Sequence, residues 1–217
     1  MIRYWSMKRY GFFIIFFLLV IVARLLPHPW NFTPIGAVGF LSAYYLKPWW
    51  VGILLSFGAM MVSDSVIGWY HLPIFVSVYV GFALYAIWGR IAHEYTTNSS
   101  RMTPPSIPPQ GGRPSFSPLE RGLRGVSRGV LCALLGSLTF FLLTNSAVWL
   151  FGTLYPHTLN GLVASLVAGI PFYRNMLVGD ILYIGVPIGV IELLKMRSSV
   201  KIITSHLCSI WQKTTKN

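Results

Sequence analysis

The 217-residue chain is 54% hydrophobic and only 10% charged, against about 25% charged residues in ordinary soluble domains. With a mean hydropathy of +0.62 and several long apolar runs, this composition excludes a disordered chain, argues against a soluble one and points to a single bundle of membrane helices. The formal charge of +12 rests on 17 Lys and Arg against 5 Asp and Glu. In such a chain basic residues are first read as topology determinants rather than as a nucleic-acid surface.

Cutting the chain at Pro, Gly and charge clusters gives five apolar segments: Gly11 to Leu26, Trp49 to Tyr70, Leu72 to Ile91, Gly129 to Phe151 and Met176 to Leu194. Pro34 to Leu46 and Leu159 to Ile170 are apolar but short, each suited to a short span or a re-entrant segment. Basic residues cluster at the amino end (Arg3, Lys8, Arg9), in the central loop (Arg90 to Arg128) and in the tail (Lys195 to Lys216). All three clusters are expected on the cytoplasmic side. The assignment that places them there counts Pro34 to Leu46 as a span and 159–170 as a short re-entrant or interfacial outer segment, and leaves only Arg24 and Arg174 toward the outside. The expected fold is therefore all-α, a six-helix multi-pass inner-membrane bundle with both termini cytoplasmic. It divides into helices 1–4 (1–92), a proline-rich cytoplasmic linker (93–127), helices 5–6 (128–196) and a basic tail (197–217). The first apolar run is read as a helix rather than a cleaved signal, because Ala23-Arg-Leu-Leu-Pro27 lacks a small-x-small cleavage pattern.

With this topology the unusual residues converge on the outer end. They are Arg24 and the loop His28-Pro-Trp-Asn31-Phe-Thr-Pro34, Asp64 in the third helix, Asn145 and Trp149 at i, i+4 in the fifth, and Arg174, Asn175 and Asp180 in the sixth. A carboxylate in lipid is costly, so Asp64 and Asp180 are expected to face the interior or a wet cavity, with Arg24 and Arg174 as the available partners. Those charges either staple helices together or shape a ligand site, and the two can coexist. The accompanying amides and aromatics suit a small-molecule pocket. The histidines His28, His71 and His157 lack metal-motif spacing, and Cys132 and Cys208 form no C-x-x-C, so no metal site and no cofactor is expected. Nor is an enzyme, since G-x-S-x-G, H-E-x-x-H and a phosphate-binding glycine loop are lacking. Small-xxx-small steps at Gly39/Ala43, Gly52/Ser56, Gly129/Ala133 and Gly185/Gly189 are expected to allow close helix packing, and Pro187 to kink the last helix.

The stretches Arg24 to Ala37, Ser63-Asp64, Leu142 to Trp149 with Tyr155-Pro156, and Pro171 to Asp180 resemble an uncharacterised family of bacterial integral membrane proteins. That family is in turn similar to the substrate-binding S components of energy-coupling-factor (ECF) vitamin transporters. The resemblance implies a six-helix protein that captures a vitamin-like nutrient from outside, energised by a transmembrane coupling protein with paired ATPases, although some small relatives work alone. The first helix departs from the S-component pattern in lacking an Ala-x-x-x-Ala docking step, and the central loop is longer. The alternative from a different class is a non-transporting membrane scaffold whose buried charges are structural.

Overall fold

A computed structural model describes residues 2–27, 29, 31–101 and 118–194. The described residues form six helices: α1 (Ile2–Leu25), α2 (Ile35–Tyr45), α3 (Val51–Ile67), α4 (Leu72–Arg101), α5 (Pro118–Phe151) and α6, which begins as Leu159–Asp180, passes through a π turn at Ile181–Gly185 and continues to Leu194. Among these residues there is no strand. Among the described residues three stretches are long and apolar enough to cross a membrane, Leu72–Thr97, Gly122–Phe151 and Leu159–Leu194, which points to a membrane protein; Ile14–Leu25, α2 and α3 are shorter apolar helices.

Successive helices run in opposite directions, so the end of α1, the start of α2, the end of α3, the start of α4, the end of α5 and the start of α6 all face one half of the bundle. The packing hub is α2, in contact with α1, α3, α4 and the π turn of α6, while α4 packs on α5 and α5 on α6. Every residue of α2 from Ile35 to Tyr44 is buried, as expected of a helix that is apolar on all sides. Its eleven residues rise only about 16 Å. Gly36 lies against Tyr85, Gly89 against Phe40 and Tyr44 against His93, so α2 fills only the half of the bundle nearer the end of α4 and does not cross by itself. The described residues of the connection between α1 and α2, 26–27, 29 and 31–34, lead from the end of α1 to the start of α2. Asn31 in that connection has φ 59°, a left-handed conformation that Asn tolerates better than most residues.

The small residues act where α2 meets its neighbours. A Cβ on Gly52 would stand 2.4 Å from the Gly39 carbonyl oxygen and 2.9 Å from the Ala43 nitrogen, and one on Gly39 would strike the Ser56 hydroxyl, so the first two expected steps form one close α2/α3 crossing. Gly129 receives Ile188. A Cβ on Gly185 would make only an ordinary contact and one on Gly189 would meet nothing within 4 Å, so the last step is not a packing site.

Two sequence expectations are corrected. The segment 159–170 is no separate re-entrant piece: it is the start of the continuous 36-residue helix Leu159–Leu194, capped by Thr158, whose Oγ1 accepts from the Gly161 N–H at 3.2 Å. Pro171 does not end this helix; the irregularity appears instead as the π turn just ahead of Pro187, whose ring would otherwise press on the Tyr183 carbonyl four residues back. The linker is also shorter than 93–127, because α4 continues to Arg101 and α5 begins at Pro118 with Glu120 in its first turn, both favourable at a helix start. The Tyr44 hydroxyl donates to Thr96 Oγ1 at 3.3 Å, and Arg128 Nη1 donates to the Tyr95 carbonyl at 3.2 Å, which anchors these extensions. The proline-rich stretch Thr103 to Gly112 and the tail 197–217 lie outside the described residues.

Candidate functional site

Because α2 fills only one half of the bundle, the other half is left partly hollow. A cavity of about 730 Å³ occupies it, walled by the end of α1, the 26–34 connection, the end of α3, the start of α4, the end of α5 and the start of α6. Phe82 and Phe140, whose rings meet at 4.7 Å, are the lining residues farthest along α4 and α5 from the open end and form the floor. The walls carry Ile74, Val78, Val148 and Phe172, and among them Arg24, Asn31, Thr33, Tyr70, Thr144, Asn145, Tyr155 and Ser165. A mostly apolar concavity with a few converging polar groups, within the 300 to 1,000 Å³ range typical of ligand pockets, is the usual form of a small-molecule site.

Arg24 is the cation of this wall. Its Nη2 donates to Asp64 Oδ1 at 2.6 Å and its Nη1 faces Met60 Sδ at 2.9 Å. Tyr79 Oη donates to the other carboxylate oxygen of Asp64 at 3.1 Å. Asp64 is 1% exposed and Arg24 15%, so the pair is desolvated on the carboxylate side and open to the cavity on the guanidinium side. The wall therefore carries a matched charge rather than a free one. Tyr70, in the turn between α3 and α4, is pushed up to about 12 by partial burial and by the nearby Asp64 carboxylate; its phenol stays a donor at any working pH.

Asn145 lies opposite, on α5. Its Nδ2 donates to the Phe141 carbonyl at 2.8 Å, and its backbone carbonyl accepts from Ser165 Oγ at 2.9 Å, tying α5 to α6. Gly169 is what lets this amide approach, since a Cβ there would stand 2.5 Å from Asn145 Oδ1.

Of the residues singled out in the sequence, Arg24, Asn31 and Asn145 line the cavity and Asp64 stands directly behind Arg24. Trp149 does not line it: its indole N–H donates to the Pro156 carbonyl at 3.0 Å and pins the loop between α5 and α6. Asn175 is half-buried outside the lining, and Arg174 is exposed on the outer face of α6. Asp180 is buried beneath the floor and has no arginine partner; its Oδ2 accepts hydrogen bonds from Tyr85 Oη at 2.7 Å and from Ser137 Oγ. The expected pairing with Arg174 fails because six residues place the two side chains about 120° apart round a helix. Tyr79, Tyr85 and Ser137, the hydroxyls that hold both acids, carry no sequence signal that separates them from core aromatics and packing serines. His28 lies outside the described residues, and among the described residues no group of three His, Cys, Asp or Glu comes together as a metal site.

An all-helical membrane protein with a ligand-sized cavity at one end of its bundle is the class that fold and site define. Residues 6–202 match a family of unknown function, DUF6580, and the chain belongs to that family. No curated protein and no solved structure matches it.

Proposed function

We propose that the protein is a multi-pass inner-membrane component that binds a small, vitamin-like nutrient from the outer side and takes part in its uptake, similar to an ECF S component, either alone or with an energising module of coupling protein and ATPases. The observation that carries this reading is the 730 Å³ cavity formed above the short helix α2 and lined by Arg24, Asn31 and Asn145 among aromatic rings. Orientation follows from charge. Lys47, Arg90, Arg124 and Arg128 belong to the end of the bundle away from the cavity, which the positive-inside rule assigns to the cytoplasm. In this reading all six helices lie within the bilayer, the short ones packed among the long, with both termini cytoplasmic. Stacking on Phe and Tyr rings and hydrogen bonds from Asn and Tyr70 would recognise a flat, polar-edged molecule.

The scaffold reading keeps one observation of its own: both buried acids are satisfied within the chain, Asp64 by Arg24 and Tyr79, Asp180 by Tyr85 and Ser137. Thermal unfolding of the purified protein in mild detergent, against vitamins, their precursors and nucleobases, separates the two. A ligand at 100 times its dissociation constant adds about 2.7 kcal/mol. We expect one chemical class to produce such a shift. Asn145→Leu should abolish it while leaving the unliganded unfolding temperature within a few degrees, since the α5/α6 tie uses the Asn145 backbone carbonyl. Silence across the panel from folded protein would favour the scaffold.

A further inference from the structure

Among the described residues, Arg174 is the one basic side chain that the fold turns outward in the middle of an apolar helix. The packed stripe of α6 contains Ser165, Gly169, Met176 and Asp180. At about 100° per residue Arg174 points almost directly away from Ser165. It is exposed in line with Val163, Val167, Ile170, Val178 and Ile181, each about half exposed. Its depth follows from its neighbour: Tyr173 packs on Phe141 with ring centroids 4.7 Å apart. Phe141 is ten residues from the end of α5 at Phe151, which is about 15 Å along the axis and so near the middle of a hydrocarbon layer about 30 Å thick.

An arginine facing lipid at that depth is strongly unfavourable without an anionic partner. Among the described residues Arg174 makes no ion pair or hydrogen bond. The chain's five acids cannot supply one: Asp64 holds Arg24, Asp180 is buried on the other side of the helix, Glu94 holds Arg90, and Glu120 and Glu192 belong to the far end of the bundle. A second, parallel copy would bring the same stripe to the same depth, arginine against arginine. A lipid phosphate would have to sink farther than a snorkelling arginine side chain extends to meet it.

Resting on the reading of α6 as a membrane span, we propose that its outward stripe is a docking surface for a different membrane protein, one whose transmembrane helix presents an Asp or Glu to Arg174 near mid-depth. The test places a photo-crosslinking amino acid at Val178 in the full-length protein in its native membranes. The expected result is an adduct with one other membrane protein, at a helix carrying an acidic residue. The adduct should fall at least tenfold in Arg174→Leu, survive in Arg174→Lys, and return when Arg174→Glu is combined with a basic residue at the partner's acid. Because Arg174 is exposed, Arg174→Leu should leave the unfolding temperature of the purified chain unchanged or higher, which separates lost docking from lost folding. Adducts with lipid alone, with a second copy alone or with nothing, or an adduct indifferent to Arg174→Leu, would overturn the proposal. Ready labelling of Val178→Cys by a water-soluble maleimide in intact membranes would instead overturn the membrane-span reading beneath it.

Discussion

Asp64→Ala should destabilise the protein by about 3 to 5 kcal/mol, the usual cost of removing one partner of a buried pair, seen as a fall in unfolding temperature of roughly 10 °C. The cause is not the attraction lost but the charge left behind. Without the carboxylate the Arg24 guanidinium, only 15% exposed, keeps a thioether as its remaining neighbour, and the Tyr79 hydroxyl loses its acceptor. The same logic sets a control that raw pair strength would not anticipate. Replacing the whole network at once, Arg24→Met with Asp64→Leu and Tyr79→Phe, should recover most of the loss, because similar volumes then fill the site without any unpaired polar group. Equal losses in the single and triple variants would show instead that the attraction lost, and not the charge left behind, carries the cost. Salt offers a second check. The pair is largely shielded from solvent, so the difference between wild type and Asp64→Ala should change little between low and high ionic strength.

Most of the helical architecture is legible in the sequence because it is written in apolar run length, and the location of the site because it is written in cost: charged and amide residues survive in such a chain only where something accommodates them. That reasoning reaches Arg24, Asn31, Asp64 and Asn145 without structure. It fails for Asp180 and Arg174 because a need for a partner does not say which one. Two serviceable hydroxyls, Tyr85 and Ser137, lie 95 and 43 residues away from Asp180, and neither is distinguishable by type from the many Tyr and Ser that merely pack. The segment 159–170 was ambiguous for a related reason. Pro171 and Arg174-Asn175 read as punctuation, whereas a proline within a long helix is tolerated when the surrounding helices hold it. Even the cavity is an indirect consequence of sequence: α2 is eleven residues long and the prolines around 27–34 start it deep in the bundle, so the hollow comes from a length deficit that no single residue announces.

Gly89→Ala should be nearly as damaging as the loss of Asp64, at about 3 kcal/mol, the upper end of ordinary overpacking costs. The added methyl would stand 2.3 Å from the Phe40 carbonyl oxygen, 2.9 Å from its carbon and 3.0 Å from its Cα. All three atoms are backbone, so no side-chain rotation relieves the contact and α4 must move off α2. Gly52→Ala meets the backbone of Gly39 and Ala43 from the other side and should behave alike. Gly189→Ala is the informative contrast, because nothing lies within 4 Å of its Cβ position; there the better helix former should be neutral or stabilising by up to about 1 kcal/mol. Chemical and thermal unfolding of the three variants in one detergent would order them. Comparable stability for Gly89→Ala and Gly189→Ala would mean that α2 is not seated against α4 as closely as these distances require. The consequence reaches the site: α2 sets the depth of the cavity beside it, so a variant that displaces α2 but still folds should lose any ligand-induced thermal shift even though it touches no lining residue.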